Sequence, residues 1–171
     1  MSVVVVVKKN NKIVIASDSM YVAGSQKIRA NYKVNNRKLL SVGNSWLGIV
    51  GWTAIEHALE NIIHRHKSIF DLKNRNSIFE TSLKLQKILE DEYHLETKED
   101  DEQPVGSSHL NCLIANKNGI FELDSYREVN EYTKFWAIGS GDHYALGSLV
   151  STYDILDDPI EIAQLAVKAA C

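Results

Sequence analysis

The sequence predicts an α+β fold, and three observations lead to it. A run of β-branched residues opens the chain, helical periodicity takes over after residue 53, and the same succession of strands and then helices recurs after residue 110. That order fits a sandwich of two antiparallel sheets with a pair of helices on each outer face, a four-layer αββα arrangement. Periodicity alone does not select this sandwich over other α+β folds.

Residues 3–7 are continuously apolar and β-branched, as a strand covered on both faces would be. The turn Lys8-Lys9-Asn10-Asn11 leads to a second strand over 12–16, making a tight hairpin. A loop is expected over 18–26, with Gly24 supplying a positive φ. Further strands are expected over 28–34, 38–42 and 46–50, the last two joined by the turn Gly43-Asn44-Ser45. Ile55, Ala58, Leu59, Ile62, Ile63 and His66 then follow helical spacing from Thr53 as N-cap. Ile78, Leu85, Ile88 and Leu89 mark a second helix over 77–93, with Ser77 and Glu80 at capping-box spacing. The stretch 96–109 is acidic, is broken by Pro104 and Gly106, and reads as a surface loop. Strands at 110–115 and 120–123 are joined through the hairpin signal Asn118-Gly119. One more strand covers 135–138, and helices follow over 144–153 and 159–170, with Pro159 suited to a first turn.

A chain of 171 residues, 44% hydrophobic and 24% charged, is one globular domain's worth. The net charge of -3 favours neither nucleic acid nor a membrane surface as partner. The longest apolar run, 3–7, is too short for a signal peptide or a membrane span. Cys112 and Cys171 make neither a disulfide framework nor a metal-ligand spacing, and His64 and His66 point apart on a helix. The expectation is a reduced, cytoplasmic protein without metal or cofactor.

Three features carry potential chemistry. Ser2 follows Met1 and is small enough for Met1 to be removed, which would leave a hydroxyl and a free α-amine on one residue. An amine with a reference pKa of about 7.7–8.0 can serve as base for its own hydroxyl. Many proteins begin Met-Ser, so this feature alone carries nothing. Asp18, in Ile15-Ala16-Ser17-Asp18-Ser19, ends the second strand, and the hairpin returns it beside Ser2. Alone, it reads as a turn residue. Gly51, in Gly48-Ile49-Val50-Gly51-Trp52-Thr53-Ala54, ends a strand just before a helix, where its N–H is approachable, as an oxyanion donor must be. Easing a strand-to-helix corner explains it equally well.

Together these features resemble the proteasome β-subunits and the HslV-type peptidases, over nearly the whole chain. Asp18 follows Ser2 by sixteen residues in an Ala-Ser-Asp-Ser setting, and Ala23-Gly24 matches the family's loop. Gly51-Trp52-Thr53-Ala54 resembles its helix start, and Ala137-Ile138-Gly139-Ser140-Gly141 resembles its glycine-serine segment. The resemblance implies the N-terminal-nucleophile hydrolase fold. It also implies Ser2 as nucleophile, Asp18 orienting a lysine, Gly51 N–H on the oxyanion, and Ser140 beside the amine. Backbone groups of Val22, Gly24 and Gly51 would hold a peptide as an added strand. It implies as well a homo-oligomeric ring or stacked rings, unfolded protein as substrate, and an ATPase unfoldase as partner.

The sequence departs from the family in two places. The position expected for the lysine is Val34; Lys33 and Lys38 are the lysines close to that spacing, and if neither reaches Asp18 the chain reads as a non-catalytic subunit. Lys38 begins a strand that leads to Gly51 and is expected on Asp18, whereas Lys33 lies among Asn31, Tyr32, Asn35 and Asn36 and is expected in water. The sequence also stops at Cys171, before the strands that close the family's domain over residues beyond its last helix. Besides a serine endopeptidase, two readings stay open: a non-catalytic ring or assembly subunit, and an amidohydrolase acting on a small amide.

Overall fold

The valines at the start of the chain form the middle strand of a small sheet that is covered on both sides. The computed structural model describes residues 2–23, 26–98 and 102–171. In chain order the elements are β1 (Val4–Lys9), β2 (Lys12–Ser17), β3 (Tyr21–Ala23), β4 (Gln26–Ile28), β5 (Leu39–Val42), β6 (Ser45–Gly51), α1 (Thr53–Arg65) and α2 (Arg75–Tyr93). The second half supplies β7 (Leu110–Asn116), β8 (Gly119–Leu123), β9 (Val129–Tyr132), β10 (Phe135–Ile138), α3 (Asp142–Thr152) and α4 (Pro159–Ala169). One sheet runs β10-β1-β2 and the other β5-β6-β7-β8-β9, both antiparallel, while β3 and β4 form a separate hairpin.

Alternation along β1 explains the layers. Val3, Val5 and Val7 pack with Ala145, Leu149, Ile162 and Ala163 of α3 and α4. Val4 and Val6 point the other way and pack with Leu113, Ala115 and Ile120 of the larger sheet. The far face of that sheet, through Cys112, Ile114 and Phe121, packs on Ile55, Leu59, Ile62, Ile78 and Leu85 of α1 and α2. The result is the αββα sandwich. The five valines from Val3 to Val7 are all buried, and each such burial contributes roughly 1.5–3 kcal/mol of transfer free energy. Among the described residues no helix is long and apolar enough to cross a membrane.

Several local expectations give way. The strand expected over 28–34 ends at Ile28; Ala30–Tyr32 form a 3-10 turn. The amide of Asn36 donates to the Ala30 carbonyl at 2.8 Å, and the Lys33 N–H donates to the same oxygen at 3.1 Å. Short polar side chains offer the backbone a local alternative to a ladder. The loop expected over 18–26 contains β3, while Gly24 lies outside the described residues. Thr53 is the first helical residue of α1, and Trp52 occupies the cap position. The capping box of α2 is made by Asn74 and Ser77 instead of Ser77 and Glu80. The strand β9 forms where the sequence pattern predicts none. Trp46 and Trp52, on a strand and at a corner, are 50% and 75% exposed, so neither belongs to this chain's core.

Candidate active site

The β1–β2 hairpin fixes the chemistry by its register. Val4 lies opposite Ser17, so Ser2 and Asp18 flank the last pair of the ladder. The Asp18 N–H donates to the Val3 carbonyl at 3.2 Å, and Val3 N–H donates back to Asp18 Oδ1 at 2.7 Å. Met20 N–H donates to Oδ2 at 2.9 Å. Lys38 completes the carboxylate's shell, with Nζ 2.6 Å from Oδ1 and 2.7 Å from Oδ2. The side chains are 9% exposed for Lys38 and 4% for Asp18. A carboxylate that deep in the protein is tolerable because four hydrogen bonds and one full positive charge surround it.

Lys38 precedes β5, and its carbonyl accepts from Ile49 N–H of β6 at 3.0 Å, which ties it to the strand that ends in Gly51. Its remaining ammonium proton goes to Ser2 Oγ at 3.0 Å. Ser2 is therefore gripped from three directions. Its N–H donates to Ser140 Oγ at 2.9 Å, and its carbonyl accepts from Gly141 N–H at 3.1 Å. Gly139 makes that approach possible. It has φ +105, and a Cβ there would lie 2.4 Å from the Ser2 carbonyl oxygen.

Two clefts meet at Ser2 and Gly51. One, of about 200 Å³, is lined by Met20, Tyr21, Lys38, Ile49, Val50, Trp52, Thr53 and Glu56 besides. The other, of about 420 Å³, runs past His109, Asn111, Ser125, Gly139 and Ser140. Gly51 has φ +115 and nothing but the His109 carbonyl near the place of a Cβ, so its backbone is open to a ligand from either cleft.

The expected residues thus separate. Ser2, Asp18, Lys38 and Ser140 are joined by hydrogen bonds, and Gly51 borders the same clefts. Lys33 is elsewhere. Its Nζ sits 3.1 Å from the centroid of the Tyr21 ring, so it is neither on Asp18 nor simply in water. Val22 lies in β3, paired with Lys27. Sequence reasoning missed Tyr21 and Glu56. Burial raises the Glu56 carboxyl above the ordinary carboxylate range; Glu60 adds to this, and His57, Lys33 and Lys38 oppose it. In the sequence Glu56 reads as an acid favouring the first turn of α1. Among the described residues no group of three or more metal-ligating side chains is gathered.

Comparison with known proteins places the chain. The family model for the proteasome subunit matches residues 2–171. No curated protein sequence matches. Among solved structures, BPH of Thiobacillus denitrificans is similar at 34% identity, with a TM-score of 0.87 over 98% of this chain and 88% of that one. The same protein in complex with epoxomicin matches at 33% identity, with the same TM-score and coverage. Eukaryotic HslV from Trypanosoma brucei shares the fold at 19% identity, with a TM-score of 0.71 over 98% of this chain and 89% of that one. The hairpin that sets Ser2 beside Asp18, the two facing sheets and these matches agree that the chain belongs to the proteasome subunit family.

Proposed function

We propose that this protein is a peptidase subunit of a self-compartmentalised ring, with Ser2 as its N-terminal nucleophile once Met1 is removed. The observation that carries the reading is the Lys38 ammonium bridging the buried Asp18 carboxylate to Ser2 Oγ at 3.0 Å. A fixed cation there favours a developing negative charge on the oxygen. In this scheme the Ser2 amine takes the Oγ proton as Oγ attacks the peptide carbonyl. The oxyanion gathers at Gly51 N–H. The protonated amine then gives its proton to the leaving amine, which leaves an acyl ester on Ser2. Water, deprotonated by the same amine, then attacks the ester carbonyl; the acyl–Oγ bond breaks, the acid leaves and the amine returns the proton to Ser2 Oγ. Lys38 holds charge and geometry throughout and Ser140 Oγ holds the amine in place. Extended peptide would lie along Val22, Gly24 and Gly51 as an added strand.

Intact mass and turnover test the reading together. The active protein should lack Met1, cleave fluorogenic peptides, be inhibited by epoxomicin and sediment as a multiple of its 19.3 kDa chain. Ser2→Ala should abolish cleavage while leaving the assembly intact. A Ser2→Ala protein that still cleaves peptides at a similar rate, or an active protein that retains Met1, would overturn the nucleophile assignment.

A further inference from the structure

The larger of the two clefts at Ser2 has an amide in its wall that the described residues do not satisfy. Asn111, the second residue of β7, lines that cleft together with Ser2, Gly51 and Ser140. The other residues of β7 from Leu110 to Ala115 are apolar. Asn111 stands opposite Val50 in the β6–β7 register, and side chains of such a pair share one face. Val50 packs with Val4 and Val6 in the layer between the sheets, and its Cγ1 lies 3.1 Å from where a Cβ on Gly139 would be. The Asn111 side chain thus enters the open end of that layer, close to the turn that holds the Ser2 backbone. Its Oδ1 is buried without a hydrogen bond, and its Nδ2 has no partner among the described residues either. The residue is half-buried while Oδ1 is covered, so the accessible end of the amide is Nδ2. A buried oxygen left unpaired costs stability that an apolar side chain of the same size would not.

The proton's route says which half of a substrate meets this donor. The Ser2 nitrogen is bonded to Ser140 Oγ at 2.9 Å, and Ser140 lines the Asn111 cleft. A leaving amine that is to receive a proton from that nitrogen lies on the Ser140 side. Among the residues lining the cleft, His109 is the one side chain able to carry charge, and its Nε2 donates to the Glu96 carbonyl at 2.8 Å. The wall therefore suits a neutral polar group. We propose that Asn111 binds the leaving half of the peptide, with Nδ2 donating to the carbonyl oxygen of the residue whose nitrogen departs. A few placed polar groups suffice to orient a ligand in such a cleft, and this donor breaks no bond within the described residues when it binds. Leaving groups that carry a carbonyl next to the departing amine's carbon are preferred over plain amines. The inference rests on the peptidase reading for the direction of the substrate, but the contact is separable from turnover.

The test uses two peptides with one acyl half. The first releases alaninamide, and the second releases 1,2-dimethylpropylamine, in which an isopropyl group replaces the carboxamide. The two amines differ in basicity, but by the same amount for every protein, so a change in the ratio of kcat/KM between proteins reports the contact. The alaninamide-to-alkylamine ratio should fall by roughly fivefold or more from wild type to Asn111→Leu, the size of one neutral hydrogen bond. Asn111→Ala, which only removes atoms, should give the same fall and carries the comparison if Asn111→Leu does not fold. The same peptides, labelled on the acyl half, are titrated by fluorescence anisotropy against Ser2→Ala protein with and without Asn111→Leu. Cleavage in one ratio by wild type and variants overturns the Asn111 contact and leaves the peptidase reading standing. If neither peptide is cleaved, the titration decides. Tighter binding of the alaninamide peptide that Asn111→Leu removes upholds the contact and overturns the peptidase, and equal binding overturns both.

Discussion

On one side of Ser2 the Asp18 carboxylate receives hydrogen bonds from Val3, Met20 and Lys38, and Lys38 uses all three of its ammonium protons, two on Asp18 and one on Ser2 Oγ. On the other side, a few residues away along the same cleft, the Glu56 carboxylate and the Tyr21 hydroxyl have no partner among the described residues. The first cluster is complete within the chain. The second has no such pairing among the described residues, and its carboxylate is only half-buried. The contrast is between two ways of holding a partly buried acid: a carboxylate paired within the chain is stabilised by its partners, whereas one left unpaired costs stability when ionised. The two clusters should respond to charge removal with opposite signs.

The largest effect is expected at the closed cluster. Lys38→Met strands a buried carboxylate, which costs about 3–5 kcal/mol of stability, and lowers kcat/KM by roughly 10³-fold. Adding Asp18→Asn to Lys38→Met removes the stranded charge and should return most of the stability without returning activity. A double-mutant cycle in urea, read beside peptide turnover, separates the two effects. If Lys38→Met is as stable as the wild type, its pairing with Asp18 is not what holds the site. Lys33→Met, by contrast, should leave the Asp18 cluster and its stability nearly unchanged, since its ammonium sits over the Tyr21 ring.

A smaller effect is expected at Gly139, which holds the Ser2 backbone without any charge. Gly139→Ala places a methyl group against the Ser2 carbonyl at a φ of +105. Strain of this kind is on the order of 1–3 kcal/mol. We expect Ser2 to move off the Lys38 ammonium, with turnover falling more than stability does. Equal activity at equal stability would show that the Ser2 carbonyl has room to shift.

The smallest effect, and the one of opposite sign, is expected at Glu56. Its carboxyl is raised by burial, so the folded state holds the proton more tightly than the unfolded state. Well below the ordinary carboxylate range both states are protonated and the site is neutral to stability. As pH rises the unfolded chain ionises first, and stability declines until the folded carboxyl ionises too. Glu56→Gln should therefore match the wild type at low pH and become slightly more stable than it as pH climbs past the ordinary carboxylate value. Urea midpoints of both proteins across that range check the sign. His57, Glu60, Lys33 and Lys38 act on the same carboxyl and are present in both proteins. A less stable Glu56→Gln at neutral pH would mean that the carboxylate is satisfied within the chain.

The closed cluster is legible in the sequence because it is built from local rules. The β1 valines, the Asn10-Asn11 turn and the position of Asp18 at the end of β2 fix the meeting of Ser2 and Asp18 by hairpin register alone. Lys38 is reachable because it leads into the strand pair that ends at Gly51. The open cluster is hidden. Glu56 sits where any helix tolerates an acid, and Tyr21 falls in a segment whose composition suggests a loop but which pairs as β3 with β4. Only the packing of that hairpin near α1 gives the two residues a shared cleft. The strand β9 escapes for a related reason. Val129-Asn130-Glu131-Tyr132 lies at the edge of its sheet with only Val129 buried, so it carries little of the apolar pattern that marks a strand.

The contact between the Ser2 nitrogen and Ser140 Oγ has a consequence for timing. With Met1 attached, that nitrogen belongs to a peptide bond and binds no proton near neutrality; once freed, it is an amine of reference pKa about 7.7–8.0. Ser140 needs only an N–H, which both forms supply. The links from Gly141 to the Ser2 carbonyl and from Val3 to Asp18 do not involve anything before Ser2. On the proposed mechanism, precursor and mature subunit would share one architecture and differ in a single bond. Dormancy would then be a property of covalent state, not of shape, and rings could be built to completion from inert parts before any of them acquired a base.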